Sequence, residues 1–324
     1  MPVVDMPLEQ LKVYKPALTR RKDFDAFWSR TLKAALAQPL GAVFEPHPYP
    51  ARGVRVRRAT FDGFEGGRIA GWLLEPETPG RHPALVVYHG YSGRSPGVFH
   101  LLPWALQGFV VLGVDCRGQC GGSTDAAVYP EGHCPGYMTA GILDKETYYY
   151  RYVYADGVRA VELVASLDTV DAGRIGVTGV SQGGGLSLAA AALAPNRVKL
   201  TGPCVPYLCH YGRAIEIAEY PYREISDYVR SWPDRYETVL ETLSYFDNLN
   251  LADRIRGRAL VSVGLWDVIC PPSTIYAVIN RMKCPTEVLV CPCTGHEETD
   301  PWRERLFEFM TDGLASDGGM RNGD

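Results

Sequence analysis

The stretch Arg174–Leu193, RIGVTGVSQGGGLSLAAAAL, constrains the fold more than any other part of this chain. A short apolar run passes through Gly179-Val180-Ser181-Gln182-Gly183 and straight into an alanine- and leucine-rich segment. That is the G-x-S-x-G pattern in the strand–turn–helix context it requires. Such a turn forces its serine into strained backbone angles, and side chains beside it would strike the neighbouring strand and helix. Glycine at 179 and 183 removes that obstacle. A helix opening at Gln182 also aims backbone N–H groups at the place where an oxyanion would form. The bland reading is a glycine-rich corner in a parallel sheet. The rest of the sequence decides between the two.

Around this stretch the hydrophobic pattern alternates. An amphipathic helix is expected over 19–38, with Phe24, Phe27, Trp28, Leu32 and Leu36 at helical spacing. Two strands follow, Val54–Phe61 and Arg68–Leu74, separated by Asp62-Gly63 and Gly66-Gly67. Then come apolar runs at 83–90, 109–115, 174–179, 258–264 and 286–292. Helices are expected between them at 99–108, 144–167, 182–194 and Ser273–Met282, with a last one over 302–314. Near-continuous Val/Leu/Ile strands alternating with helices predict an α/β fold, with a mostly parallel twisted sheet covered on both faces. Residues 205–250, rich in Tyr, Pro, Arg and Glu, break the alternation and read as a helical, cap-like insertion. Residues 1–315 read as one domain, and the glycine-rich 316–324 as a disordered tail.

Composition narrows the function classes. The 324 residues are 46% hydrophobic and 22% charged, enough to bury a large core. A net charge of −4 leaves no basic footprint for nucleic acid. The N-terminal MPVVDMPLEQ lacks the basic and apolar regions of a secretory signal. No apolar run approaches the roughly 18 residues a membrane helix needs. The nine cysteines show no C-x-x-C pairing, so reduced thiols, a cytoplasmic location and no zinc cage are expected. Cys116 with Cys120, or Cys291 with Cys293, remains open as a disulfide.

A nucleophilic serine needs a base and an acid, and after a G-x-S-x-G turn these follow in the order acid, then histidine, each just past a later strand. Asp267 stands three residues beyond Gly264, and His296 follows the run 286–292. His89 and His133 precede the serine, and His210 lies in the insertion before the acid. Glu297 and Glu298 read as solvated neighbours of the base. Asp300 is an alternative acid and also suits the cap of a helix starting at Pro301. The oxyanion donors by position are the N–H groups of Gln182 and of Tyr91, in the loop His89-Gly90-Tyr91-Ser92-Gly93. His89 reads as a brace for that loop. Tyr207 and Pro221 are weak candidates for an acyl pocket, with packing the commoner role for such residues.

These residues sit in a larger set: RGQ at Arg117–Gln119, GVSQG at Gly179–Gly183, HE at His296–Glu297, HGY before them and LWDVICPPST at 265–274. Together they resemble carbohydrate esterase family seven, the acetyl xylan esterases that are also cephalosporin C deacetylases. The resemblance runs from the first helix to the last. It implies an α/β-hydrolase fold, Ser181 as nucleophile, Asp267 as acid, His296 as base, and Tyr91 and Gln182 as oxyanion donors. Arg117 and Gln119 would hold the loop after the fourth core strand rather than react. It implies hydrolysis of O-acetyl esters on short xylo-oligosaccharides and on cephalosporin C, without metal or organic cofactor. It also implies a homo-oligomer, a hexamer built as a dimer of trimers. A prolyl-oligopeptidase-like peptidase, a general carboxylesterase and a non-catalytic scaffold are the alternatives. The first lacks room for a propeller ahead of the sheet, and the last requires a missing triad member.

Overall fold

In a computed structural model, the structure describes residues 4–130 and 132–315, so the tail expected over 316–324 lies outside the described residues. Among the described residues one sheet holds β1 (Val43–Pro46), β2 (Val54–Asp62), β3 (Arg68–Pro76), β4 (His82–Tyr88), β5 (Val110–Val114), β6 (Val170–Val180), β7 (Val198–Cys204), β8 (Arg258–Gly264) and β9 (Thr286–Cys291). Their order across the sheet is β1-β2-β3-β5-β4-β6-β7-β8-β9. The β1–β2, β2–β3 and β3–β5 pairs are antiparallel, and every pair from β5 to β9 is parallel. All of β5, and β8 after Arg258, is buried. Burial on both faces is why those strands read as unbroken apolar runs.

Two strands were not foreseen. β1 is a largely exposed four-residue edge, and β7, VKLTGPC, carries Lys199, Gly202 and Pro203. Neither has the apolar or alternating signature of a strand, yet β7 is the partner that lies along β6.

The helices are α1 (Leu8–Leu11), α2 (Phe24–Ala37), α3 (Val98–Leu106), α4 (Tyr149–Ala165), α5 (Gln182–Leu193), α6 (Tyr211–Ile217), α7 (Arg223–Ser231), α8 (Tyr236–Leu243), α9 (Asn248–Leu251), α10 (Pro272–Ile279) and α11 (Asp300–Gly313). Apolar residues of α2, α4 and α5 fill one core cluster, those of α3 and α11 a second, and Ala35, Phe64, Tyr152 and Ala155 form a small third. In α2 the rings of Phe24, Phe27 and Trp28 are buried. Burying such a side chain contributes about 1.5–3 kcal/mol. Leu36, expected on the same face, points to water, and Ala35 occupies the buried position instead. Helix α4 starts later than 144, because Gly141 has φ +69° and the Asp144 carboxylate accepts from Glu146 N–H. Both features favour turns over helix.

Between β7 and β8 the chain runs through α6–α9. This segment is anchored rather than loose: Trp28 donates to the Tyr245 carbonyl at 2.8 Å and Tyr154 to that of Phe246 at 2.7 Å. Register then decides where the site falls. Tyr88 lies opposite both Val114 and Gly179, and Gly264 lies opposite Cys291. The loops that follow β4, β5, β6, β8 and β9 therefore emerge at the same, carboxyl, edge of the sheet. No helix among the described residues is long and apolar enough to cross a membrane.

Candidate active site

Ser181 sits between the last residue of β6 and the first of α5, with φ 59° and ψ −117°. A positive φ in a residue other than glycine is strained, and here it is held from several sides. Ser181 N–H donates to the Cys204 carbonyl at 2.9 Å, while its own carbonyl accepts from Gly185 and Tyr207 N–H. A Cβ on Gly179 would lie 2.4 Å from the Tyr88 carbonyl oxygen, and one on Gly183 only 2.1 Å from it. The two glycines are thus required by β4, which passes directly beneath the turn.

The loops after β8 and β9 are joined by backbone hydrogen bonds, Leu265 N–H to Cys291 O and Trp266 N–H to Thr294 O, both 3.0 Å. This brings Asp267 against His296, Oδ2 to Nδ1 at 2.8 Å, with the carboxylate fully buried and the imidazole partly open. The other oxygen of Asp267 accepts from Ile269 and Cys270 N–H, each at 2.8 Å. An ionised carboxylate only accepts, so Nδ1 carries the proton and Nε2 is left as an acceptor. Cys270 connects this pair to the serine. The Ser181 side chain lies beside its thiol, close enough to oppose part of the rise that burial imposes on it. Its sulfur, an Asp267 oxygen and a His296 nitrogen lie within 4.8 Å of one another. Ser181, Asp267 and His296 are therefore in one place. By residue type Asp267, Cys270 and His296 form a set that could hold a metal ion. Burial pushes the Cys270 thiol well above its ordinary range, against the thiolate a metal needs.

The loop after β4 lies alongside: a Cβ on Gly90 would sit 3.9 Å from the Ser181 Cβ. His89 braces it: Nδ1–H donates to Gly90 O at 2.7 Å, and Nε2 accepts from Cys116 N–H at 2.8 Å. Burial lowers its pKa, keeping the ring neutral. Gln182 opens α5 with its side chain wholly buried. Its amide exchanges hydrogen bonds with that of Gln119, 2.9 Å one way and 3.2 Å the other, and accepts from Tyr150 OH at 3.0 Å. The RGQ and GVSQG motifs meet in this amide pair. Arg117 points elsewhere: it clasps Asp156 through Nε and Nη2 at 2.7 and 2.9 Å and donates to Phe64 O. It fixes the loop after β5 to α4 and to the turn after β2.

Tyr207 is fully buried, its ring centroid 4.0 Å from that of Tyr222 and 6.2 Å from that of Tyr91. Its backbone N–H supports the Ser181 carbonyl. Pro221 is buried in the turn before α7, where its carbonyl accepts from Glu224 N–H. Asp300 neither reaches His296 nor caps α11. Thr299 is the cap, accepting from Trp302 N–H, and Asp300 pairs with Arg303 at 2.8 Å. All nine cysteines are thiols, so neither open disulfide forms.

The acetyl xylan esterase family (AXE1) matches residues 1–312. The chain belongs to that family, and with it to the carboxylic ester hydrolases. An acetyl xylan esterase from a Paenibacillus species is 43% identical and superposes with a TM-score of 0.92, over 95% of this chain and 99% of that one. Acetyl xylan esterase 1 from a Thermoanaerobacterium species is 34% identical, also at 0.92, over 96% and 100%. The acetyl esterase Axe7A of Xylanibacter ruminicola is 28% identical over 308 residues, 89% of this chain but 66% of its own length. This member of the family thus has the α/β-hydrolase fold.

Sequence reasoning missed three residues of the site. Asp115 ties two loops together, accepting from Ser95 N–H at 2.7 Å and Gly122 N–H at 2.8 Å while pairing with Arg58. Its signal was an acid at the end of a wholly apolar strand. Cys270 stood in the quoted LWDVICPPST without a role. Glu224 is buried at 4% exposure beneath Tyr91, and nothing in its exposed-looking, charged helix marked it.

Proposed function

We propose that this protein is a serine esterase that removes acetyl groups from small acetylated carbohydrates, xylo-oligosaccharides among them, and from cephalosporin C. The observation that carries the reading is the Asp267–His296 hydrogen bond, with Cys270 beside both that pair and a serine on a strained turn. In this mechanism His296 Nε2 takes the Ser181 proton as Oγ attacks the ester carbonyl. Asp267 stabilises the imidazolium that results. The N–H groups of Gln182 and Tyr91 hold the oxyanion, each such donor being worth about 10²–10³ in rate. The imidazolium then protonates the leaving alcohol, and the same histidine activates the water that frees acetate. The α6–α9 segment, which brings Glu224 to the Tyr91 hydroxyl, is in this reading the roof that limits substrate size. Family resemblance supports the remaining parts of the reading: a single domain, a hexamer arranged as a dimer of trimers, and work on imported fragments in the cytoplasm.

Ser181→Ala is expected to abolish hydrolysis of p-nitrophenyl acetate while leaving thermal unfolding unchanged; retained turnover overturns the triad. A panel of acyl chain lengths, sugar acetates and cephalosporin C reads the substrate class. Acetyl should exceed butyryl, and faster cleavage of octanoate esters would sink the deacetylase reading.

A further inference from the structure

We infer that Glu224 is a positioning residue for the oxyanion loop, holding Tyr91 by its hydroxyl and so fixing the direction of the Tyr91 backbone N–H. This rests on the reading of Tyr91 as an oxyanion donor. The loop is soft by composition. Gly90 and Gly93 flank it, Ser92 has φ 54°, and its own turn is closed by Gly93 N–H to Gly90 O at 3.1 Å. Backbone alone does not hold an N–H in such a loop to the accuracy an oxyanion donor needs. The Tyr91 side chain supplies a second anchor at its far end. Its hydroxyl lies 2.8 and 2.9 Å from the two Glu224 oxygens, and it accepts from Tyr137 N–H at 2.5 Å.

The carboxylate is itself held from three directions. Met138 N–H donates to Oε2 at 3.0 Å, the Tyr220 side chain lies close enough to lower the pKa of the carboxylate, and Gly136 passes so close that a Cβ there would lie 2.2 Å from either oxygen. Gly136 has φ +111°, a conformation that suits glycine. Three chain segments thus meet at one buried acceptor: the oxyanion loop, the 136–138 turn and α7. Burial raises the carboxyl of Glu224, and the donors around it oppose that shift. Tyr91, Tyr137 and Tyr220 pack edge-on around the lock, with ring centroids of 5.7 and 6.1 Å from Tyr91 to the other two. A structural staple and a positioning residue make different predictions. A staple changes how much protein is folded; a positioning residue changes the turnover of the folded enzyme.

The test uses Tyr91→Phe, Glu224→Gln, Glu224→Ala and the Tyr91→Phe/Glu224→Gln double variant, in the full chain. Five quantities are read: kcat and KM for p-nitrophenyl acetate, thermal unfolding, inhibition by phenylboronic acid, and labelling of Ser181 by a fluorophosphonate. The boronate forms a tetrahedral adduct that fills the oxyanion position. Tyr91→Phe and Glu224→Gln are expected to lose about tenfold to a hundredfold in kcat, with KM within about twofold. Boronate affinity should weaken by the same factor. Glu224→Ala should lose more, and the double variant no more than the worse single one, since both remove one lock. Unchanged kcat and boronate affinity in folded Tyr91→Phe would overturn the proposal, as would a rise confined to KM or a loss confined to thermal stability. An unlabelled Ser181 in the wild type would instead overturn the underlying triad reading, which keeps the two failures apart.

Discussion

Helices α5 and α7 both border the site, and they are built on opposite principles. Every residue of α5 is buried, and its composition is nearly all glycine, alanine and leucine. In α7 only Glu224, Ile225 and Tyr228 are buried, and the rest of the helix faces water or its rim. The position of α5 is dictated by steric contact: β4 and the 204–207 backbone leave no space for side chains along its first turn. The position of α7 depends on polar contacts, above all one carboxylate with several donors. Steric constraint is written in residue size and is readable along the chain. A polar lock needs partners from distant segments and is not.

Substitutions can break or sharpen this contrast, and the largest effect is expected on the steric side. Gly183→Ala drives a methyl group into the Tyr88 carbonyl. Relief requires backbone to move, so the cost is expected at about 3 kcal/mol or more. Soluble yield and thermal unfolding measure it, and an unchanged unfolding temperature would show that α5 is not held by contact. Gln119→Leu is a polar counterpart inside the same core. It strips the Gln182 amide of its reciprocal partner, which is expected to cost about 1–3 kcal/mol. It should also lower kcat for p-nitrophenyl acetate, because Gln182 carries one of the proposed donors. Unaltered stability and turnover would make the meeting of the two motifs incidental.

The smallest effect is one of slope, in the roof. Burial and the nearby Arg213 push the pKa of His210 down to about 4 from an ordinary 6.5. The unfolded chain then takes up a proton first, so this contribution to stability is complete above pH 6.5 and is lost as pH falls toward 4. Asp247, which accepts from His210, Tyr211 and Leu249 N–H, is pushed up by burial to about 6. Its sign is reversed: the native form holds the proton, and stability is lost as pH rises from about 4 through 6. The two oppose each other in the wild type. His210→Asn, which keeps a residue tolerant of the left-handed backbone at φ 45°, removes one of them. Its unfolding temperature relative to wild type is expected to rise as pH falls from 6.5 to 4. A relative fall would contradict the neutral, buried state of His210.

The same contrast explains what could be read in advance. Ser181, Asp267 and His296 were legible because each follows a recognisable strand, and parallel register carries strand ends to one edge. The α5 start was legible from its glycines. Strand β7 was not, because Lys199, Gly202 and Pro203 hide a segment that pairing with β6 makes a strand. Leu36 does not reach the core because the buried face of α2 runs through Thr31 and Ala35, one residue earlier than the apolar spacing suggests. Asp300 lost the cap of α11 to Thr299, one residue earlier, since the chain enters the helix extended at Thr299.

The sequence by itself determined the chemistry on offer: a serine in a turn only glycines permit, an acid and an imidazole at later strand ends, and a glycine-bearing loop ahead of them. Those choices depend on residue size and on order along the chain, and both are present in one dimension. Tertiary structure decided which polar groups meet. The Gln119–Gln182 amide pair, the Asp115 brace, the Cys270 contact with Ser181 and the Glu224 lock on Tyr91 all join segments remote in sequence. A buried polar group is stable only where its partners converge on it, and that convergence exists only in the folded chain.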